Sequence, residues 1–311
     1  MFGILNLQSK HAASNLPLDI VNSSDRPIAT HNIKYNWMDV RAQLMHYAFY
    51  ELFDVIPADT PELLETAHRV RYQVFCVENK DYEDPAEHPD GLERDRYDAH
   101  SSHALVMHRQ SGKAVGTVRV ILPDENNLMD CFPLQRLCDH SLLQDPDHIR
   151  NSFEISRMCI TREFQVDMIN SCKNKVSSYL KHDKKYNQGA YHKFMMLGGR
   201  HMAAMGLVHG MFAQALKHDR IDGFGIMEPR YIKRLQNIGF IMEPLGPTID
   251  YHGKRVPFRF NIKNVLENAM QHHYAVWNIV TRKGQLHRHL IDVEQRACHH
   301  MKGHRPTLVA V

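Results

Sequence analysis

Residues 69–100 read RVRYQVFCVENKDYEDPAEHPDGLERDRYDAH, and the way this stretch divides decides the fold. It opens as the end of a helix. Upstream, IPADTPELLETAH offers Asp59 or Thr60 as a cap, Pro61 at the first helical position and glutamates in the first turn. Leu64, Ala67, Val70 and Val74 form one apolar stripe, while Arg71, Phe75 and Glu78 recur at i, i+4 and i+7 on a common face. Pro85, Pro89 and Gly91 then break helical and strand periods alike, so residues 79–100 form a long acidic loop. A loop this polar is either solvated or gathered around cations.

Strands follow. SHALVMHR gives one, QSGK turns the chain, and AVGTVRVILP gives the next, with Val118 and Val120 on one face and Thr117, Arg119 and Ile121 on the other. A second long connection with short helical pieces leads to FEISRMCITREF, a third strand. Regular alternation there sets Glu154, Ser156 and Met158 against Ile155, Arg157 and Cys159. A bulge would change which charged groups converge. Charged residues therefore stand where each strand begins or ends, the pattern of a site assembled from strand ends.

Working outward, residues 1–34 are an irregular arm punctuated by Pro and Ser. Residues 35–56 carry Trp37, Val40, Leu44, Tyr47 and Phe49 at helical spacing and predict a helix covering a domain face. The lysine-rich span within 162–190 reads as a solvated insertion. YHKFMMLGGRHMAAMGLVHGMFAQALKHD predicts a helix broken near Gly198–Gly199. IDGFGIM is a short buried strand, and EPRYIKRLQNIGF is a helix with Gly239 as its stop. IMEPLGPTIDYHGKRVPFRFNI predicts two strands joined at HGK. NVLENAMQHHYAVWNIVTRKG predicts one amphipathic helix with Leu266, Met270, Tyr274 and Trp277 on one side, and residues 282–311 read as peripheral and poorly ordered. The resulting division is an arm and covering helix over 1–56, a sheet domain over 57–262 with an insertion around 165–192, and a C-terminal helix and tail over 263–311. This order is that of an α+β fold with a central mixed twisted sheet flanked by helices.

Composition narrows the function. The chain has 311 residues and a net charge of +3, which argues against the concentrated basic face of a nucleic-acid binder. Its six cysteines form no CxxC pair, so reduced thiols in a cytoplasmic protein are expected. No apolar run is long enough for a transmembrane helix, and the N-terminus lacks the regions of a signal peptide. A peripheral membrane contact stays open. The 23 histidines occur singly or in pairs without a carboxylate at ligand spacing, so no metal is expected. GxGxxG, GxxxxGK[ST] and GxSxG are all missing, which removes dinucleotide, P-loop and esterase readings.

One chemistry unites Arg71, Asp95, Asp98, Arg119, Glu154 and Arg157. A small amine arrives as an ammonium ion, is drawn by carboxylates, and must lose a proton before it attacks a thioester. Glu154 is the candidate base, assisted by Ser156. Backbone N–H groups at a strand bulge would stabilise the oxyanion. An ion pair of Glu154 with Arg119 or Arg157 is the competing reading, and loop bracing is the competing role for Asp95 and Asp98.

RYQVFCVE, EDPAEHPDGLERDRYD, GTVRVILP and FEISR together resemble the autoinducer-synthase branch of the GNAT acyltransferases, with their N-acyl-homoserine-lactone and N-acyl-amino-acid synthases. The resemblance is nearest to the acyltransferases associated with the bacterial exosortase and PEP-CTERM system. It covers about residues 65–160 and extends more weakly to about 262. It implies a GNAT-like fold, with Arg71, Phe75, Asp95, Asp98, Arg119 and Arg157 contacting substrate and Glu154 as base. It also implies a long-chain acyl donor on acyl carrier protein or coenzyme A, an amino acid or similar small amine as acceptor, and an N-acyl amide product. Lys173, Lys175, Lys181, Lys184 and Lys185 are a basic patch suited to an acidic carrier protein. The chain departs from the family in having Asp81 where an aromatic is expected, with Tyr82 next, and in lacking a clear R/Q-x-x-G-x-G/A loop. The second departure favours carrier-protein delivery. A non-catalytic acyl-chain sensor and a short-chain acetyltransferase are the alternatives on the same fold.

Overall fold

The computed structural model describes residues 37–80, 82–164 and 188–293, all within the unit Asn36–Val311. Helix α1 (Trp37–Leu52) leads into strand β1 (Phe53–Pro57), and helix α2 (Pro61–Tyr72) follows. Its N-terminus is built as the sequence predicts, with the Thr60 hydroxyl accepting from the Leu63 N–H at 3.3 Å and Pro61 in the first turn. The helix continues as one π-turn, Gln73–Glu78. The acidic loop then delivers the chain to β2 (Ser101–His108) and β3 (Ala114–Ile121). Short helical turns, ending in α3 (Pro146–Arg150), lead to β4 (Ser152–Ile160).

The second half consists of α4 (Gln188–Lys217), β5 (Asp222–Met227), α5 (Pro229–Gln236), β6 (Glu243–Pro244), β7 (Ile249–Asp250) and β8 (Lys254–Asn261). Helices α6 (Ile262–His272), α7 (Tyr274–Val280) and α8 (residues 285–293) close it.

The strands form one sheet in the order β1-β2-β3-β4-β5-β8-β6, with β7 on β8. Every pairing is antiparallel except β4 with β5. That parallel pair runs from Ser152↔Asp222 to Ile155↔Gly225 and ends there, although both strands continue. On β4, three steps from Ser156 to Cys159 oppose two steps from Arg119 to Thr117 on β3. Arg157 occupies the extra position with φ +51°, a bulge that turns its side chain out of regular alternation.

Burial follows strand parity. Val118, Val120, Phe153 and Ile155 pack into the main core with Met205, Leu207, Met211 and Phe212 of α4. Helix α4 lies very close to the sheet. A Cβ on Gly210 would fall 2.7 Å from the Ala104 Cβ, so only glycine fits without a shift. Ile121 faces the other way, into a smaller core with Tyr97, Phe132, Leu134, Leu143 and Phe224 beneath the long connection.

Four expectations are corrected. The helix read over 35–56 stops at Leu52, and Phe53–Pro57 pair with β2 as an edge strand. Phe53 and Val55 turn inward at period two, a pattern hidden behind the apolar run of α1. Helix α4 passes through Gly198–Gly199 unbroken. The single helix after β8 is two, parted at His273, and Met270 is exposed. Residues 285–293, read as peripheral, form a helix whose Leu286, Leu290 and Val293 are buried in the main core.

Candidate active site

Three arginines from three elements meet the acidic loop. Arg71, at the end of α2, is fully buried, with Nη1 and Nη2 donating to the two oxygens of Asp98 at 2.6 and 3.0 Å and Nε donating to Glu93. Arg119, on β3, is equally buried. It donates to both oxygens of Asp95 at 2.5 and 2.8 Å, to Asp98 at 2.9 Å and to the Ser156 hydroxyl at 2.8 Å. Arg157, turned inward by the bulge, donates to Glu93 at 2.9 and 3.0 Å and to Glu83 at 2.8 Å.

The loop is therefore gathered around cations that the chain itself supplies. Asp95 and Asp98 also close a short helical turn, with the Tyr97 N–H donating to Asp95 and the Asp95 N–H donating to Asp98, each at 2.8 Å. Such a network is costly to breach, because removing one partner strands a buried charge. Burial pushes the Glu93 carboxyl up, but Arg157 and Arg71 outweigh it and hold the group at about 2. Asp98 is held far below the usual range against the same burial penalty, by His103, Arg71 and Arg119.

Glu154 stands apart. It lies on β4 just before the bulge, opposite Ile121, and is fully enclosed. Its Oε2 accepts from the Leu134 N–H at 3.0 Å, while Oε1 has no hydrogen-bond partner among the described residues. Among the described residues it makes no ion pair with Arg119 or Arg157. Burial pushes its carboxyl up to about 8, the Leu134 N–H and Arg119 pulling the other way. A carboxylate with one free oxygen and an affinity for protons near neutrality has the properties of a general base.

The sequence-predicted residues Arg71, Asp95, Asp98, Arg119, Ser156 and Arg157 thus converge, with Glu154 beside them. Phe75 joins from the π-turn, its ring 5.5 Å from the Arg157 guanidinium. Lys173, Lys175, Lys181, Lys184 and Lys185 lie outside the described residues. Glu83 and Glu93 went unread in the sequence. Charge balance was the usable signal, since three arginines against Asp95 and Asp98 leave a cation unpaired. Tyr82 supplies the displaced aromatic, its ring 4.9 Å from that of Phe75.

His68 and His103 were also missed. Their ring nitrogens and an Asp98 oxygen lie within 4.8 Å of one another, as metal ligands would. Asp98 Oδ1 already receives Arg71 and Arg119, so a cation there would sit against two guanidinium groups, and the donor set does not fit one.

Residues 70–172 match the family model of the acetyltransferase (GNAT) domain, and the fold is GNAT-like. Solved structures that match the chain include the AHL synthase LasI, with 18% identity over 68% of this chain and 90% of that one, at a TM-score of 0.44. FeeM, an N-acyl amino acid synthase from uncultured soil microbes, gives 10% identity over 71% and 97%, at 0.44. The CoA-dependent acyl-homoserine lactone synthase MesI gives 15% identity over 75% and 95%, at 0.43. No curated protein matches the chain.

Proposed function

We propose that this chain is an N-acyltransferase that moves a long-chain acyl group from a carrier-protein or coenzyme A thioester to a small amine. The observation that carries the reading is Glu154, enclosed, without an ion pair and with one free carboxylate oxygen. In the reaction, Glu154 takes a proton from the acceptor ammonium, directly or through a water. The freed amine nitrogen forms a bond to the thioester carbonyl carbon. The carbon–sulfur bond then breaks, and the departing thiolate takes up the second proton, which the attacking nitrogen loses as it becomes an amide. In this reading, backbone N–H groups at the Arg157 bulge are the donors that stabilise the oxyanion.

Ser156 and the arginines support this arrangement from behind. Asp95 and Asp98 are engaged by arginines, which favours a bracing role in shaping the acceptor pocket over direct capture of the ammonium. Arg71, Arg119 and Arg157 then act on substrate through the loop, and Phe75 lines it. An amino acid acceptor, acyl carrier protein as donor, the five lysines as its docking patch and kinship with the exosortase-associated acyltransferases complete the proposal. No helix among the described residues is long and apolar enough to cross a membrane.

The test is incubation of the protein with acyl-carrier-protein and coenzyme A thioesters of graded chain length and pooled amino acids, read by mass spectrometry. An acyl amide favouring long chains supports the proposal. Product from acetyl donors alone would reassign the protein to acetyl transfer, and binding without any product would make it a sensor.

A further inference from the structure

The loop that follows the π-turn of α2 meets the distant β7–β8 hairpin through the rings of Tyr82 and His252. Tyr82 packs on Phe75 on one side and stacks on His252 on the other, with the Tyr82 and His252 centroids 4.4 Å apart and the planes 20° from parallel. Tyr251 meets His252 edge-on at 4.6 Å. The guanidinium groups of Arg157 and Arg255 each stand 6.0 Å from the Tyr82 ring. The tyrosine is tied to the site by its own neighbour, since Glu83 accepts from Arg157 and its N–H donates to the Phe75 carbonyl.

Topology gives this contact a position. Met227, the last residue of β5, pairs with Val256, so Arg255 and the turn at His252 overhang the end of β5. Tyr82 reaches that turn from the Arg157 side, on β4. The stack therefore joins a loop held against Arg157 of β4 to a hairpin whose β8 pairs with β5, beyond Ile155↔Gly225, where the pairing of β4 with β5 has ended. The hairpin is a weak lever: β7 is two residues long and, among the described residues, pairs only with β8. His252 is exposed and holds φ +50°, a conformation that glycine adopts more readily.

We propose that Tyr82 and His252 form a clasp over the mouth between β4 and β5, which parts to admit an acyl thioester and closes over it. The proposal rests on the acyl-transfer reading, because that reading brings the thioester carbonyl to Glu154, which lies on β4 one residue before the pairing with β5 ends. An aromatic stack suits the task, being specific in geometry yet weak enough to break and re-form within a catalytic cycle.

The experiment pairs hydrogen exchange with binding kinetics on the full chain. His252→Gly removes the imidazole and suits the turn, so the hairpin keeps its shape. In this variant, peptides covering residues 82–87 should exchange about fivefold faster, while those covering 128–136 stay unchanged. Stopped-flow association and dissociation of dodecanoyl-coenzyme A and dodecanoyl-acyl carrier protein should each quicken about fivefold, with Kd little altered. Tyr82→Phe, which keeps the stack, should behave as the parent. Unchanged exchange at 82–87 would show that no clasp exists. Faster exchange with unchanged thioester rates would make the stack a static brace and overturn the gate. Failure of the parent to bind either thioester would overturn the acyl-transfer reading and the gate together, while the exchange result would still report on the contact.

Discussion

At the scale of single residues, Glu154 and the arginines illustrate two ways of burying charge. Glu154 is buried without an ion pair among the described residues, and burial raises its carboxyl to about 8, whereas Glu93 is buried against two cations that hold it at about 2. The substitution Glu154→Gln mimics the neutral acid and can still accept from the Leu134 N–H, so the fold should persist. Turnover should fall about 10²–10⁴-fold, measured as kcat in a thioester-consumption assay. Removing a guanidinium is different. Arg71→Met takes one of two arginine partners from each of the buried Glu93 and Asp98 and should cost about 3–5 kcal/mol in denaturant unfolding. Five of the site residues, Arg71, Asp95, Asp98, Arg119 and Arg157, were legible because charged side chains at strand and helix ends stand out against apolar periodicity. Glu93 was not, since it sits among other loop acids with no period to mark it.

At the scale of elements, the bulge on β4 decides the site. Regular alternation would send Arg157 to the face opposite Glu154, yet the extra residue turns it toward Glu93 and Glu83. The sequence allows a bulge there but carries no glycine to announce it. The same blindness hid β1, whose period-two burial runs straight on from a helical pattern, and the buried face of α8, whose apolar residues are spaced among histidines.

The acidic loop has an acid-sensitive attachment. Burial, reinforced by Arg71, lowers His68 to about 4 and lowers His103 as well, while Asp98 opposes both. Folding therefore excludes protons from these rings. Their contribution to stability is full above about pH 6.5 and is lost as the pH falls, through about 4 for His68. Glu93 gives up its share only lower, as the pH falls through about 2. Thermal unfolding followed against pH should show an early decline below pH 6.5 that His68→Gln with His103→Gln flattens. The steeper loss in stronger acid should remain.

At the scale of the whole molecule, one helix and one sheet are pressed together so that the strand ends can carry polar chemistry. Helix α4 rides against β2 at Gly210, and Gly210→Ala should cost about 1–3 kcal/mol in unfolding without altering the pH dependence of activity. The α+β order and the GNAT-like sheet were readable because hydrophobic periods survive without tertiary knowledge. The parting of β4 and β5 was not, because it depends on partners far apart in the chain. In the proposed reaction Glu154 accepts the proton of an amine that attacks a thioester. Single-turnover acyl transfer to an amino acid, followed from pH 5 to 10, tests it most directly. The rate should rise to a plateau through an apparent pKa near 8, the value burial gives Glu154. Glu154→Gln should lose both the rate and that inflection. A Glu154→Gln protein that keeps the full rate and the same pH profile would contradict it.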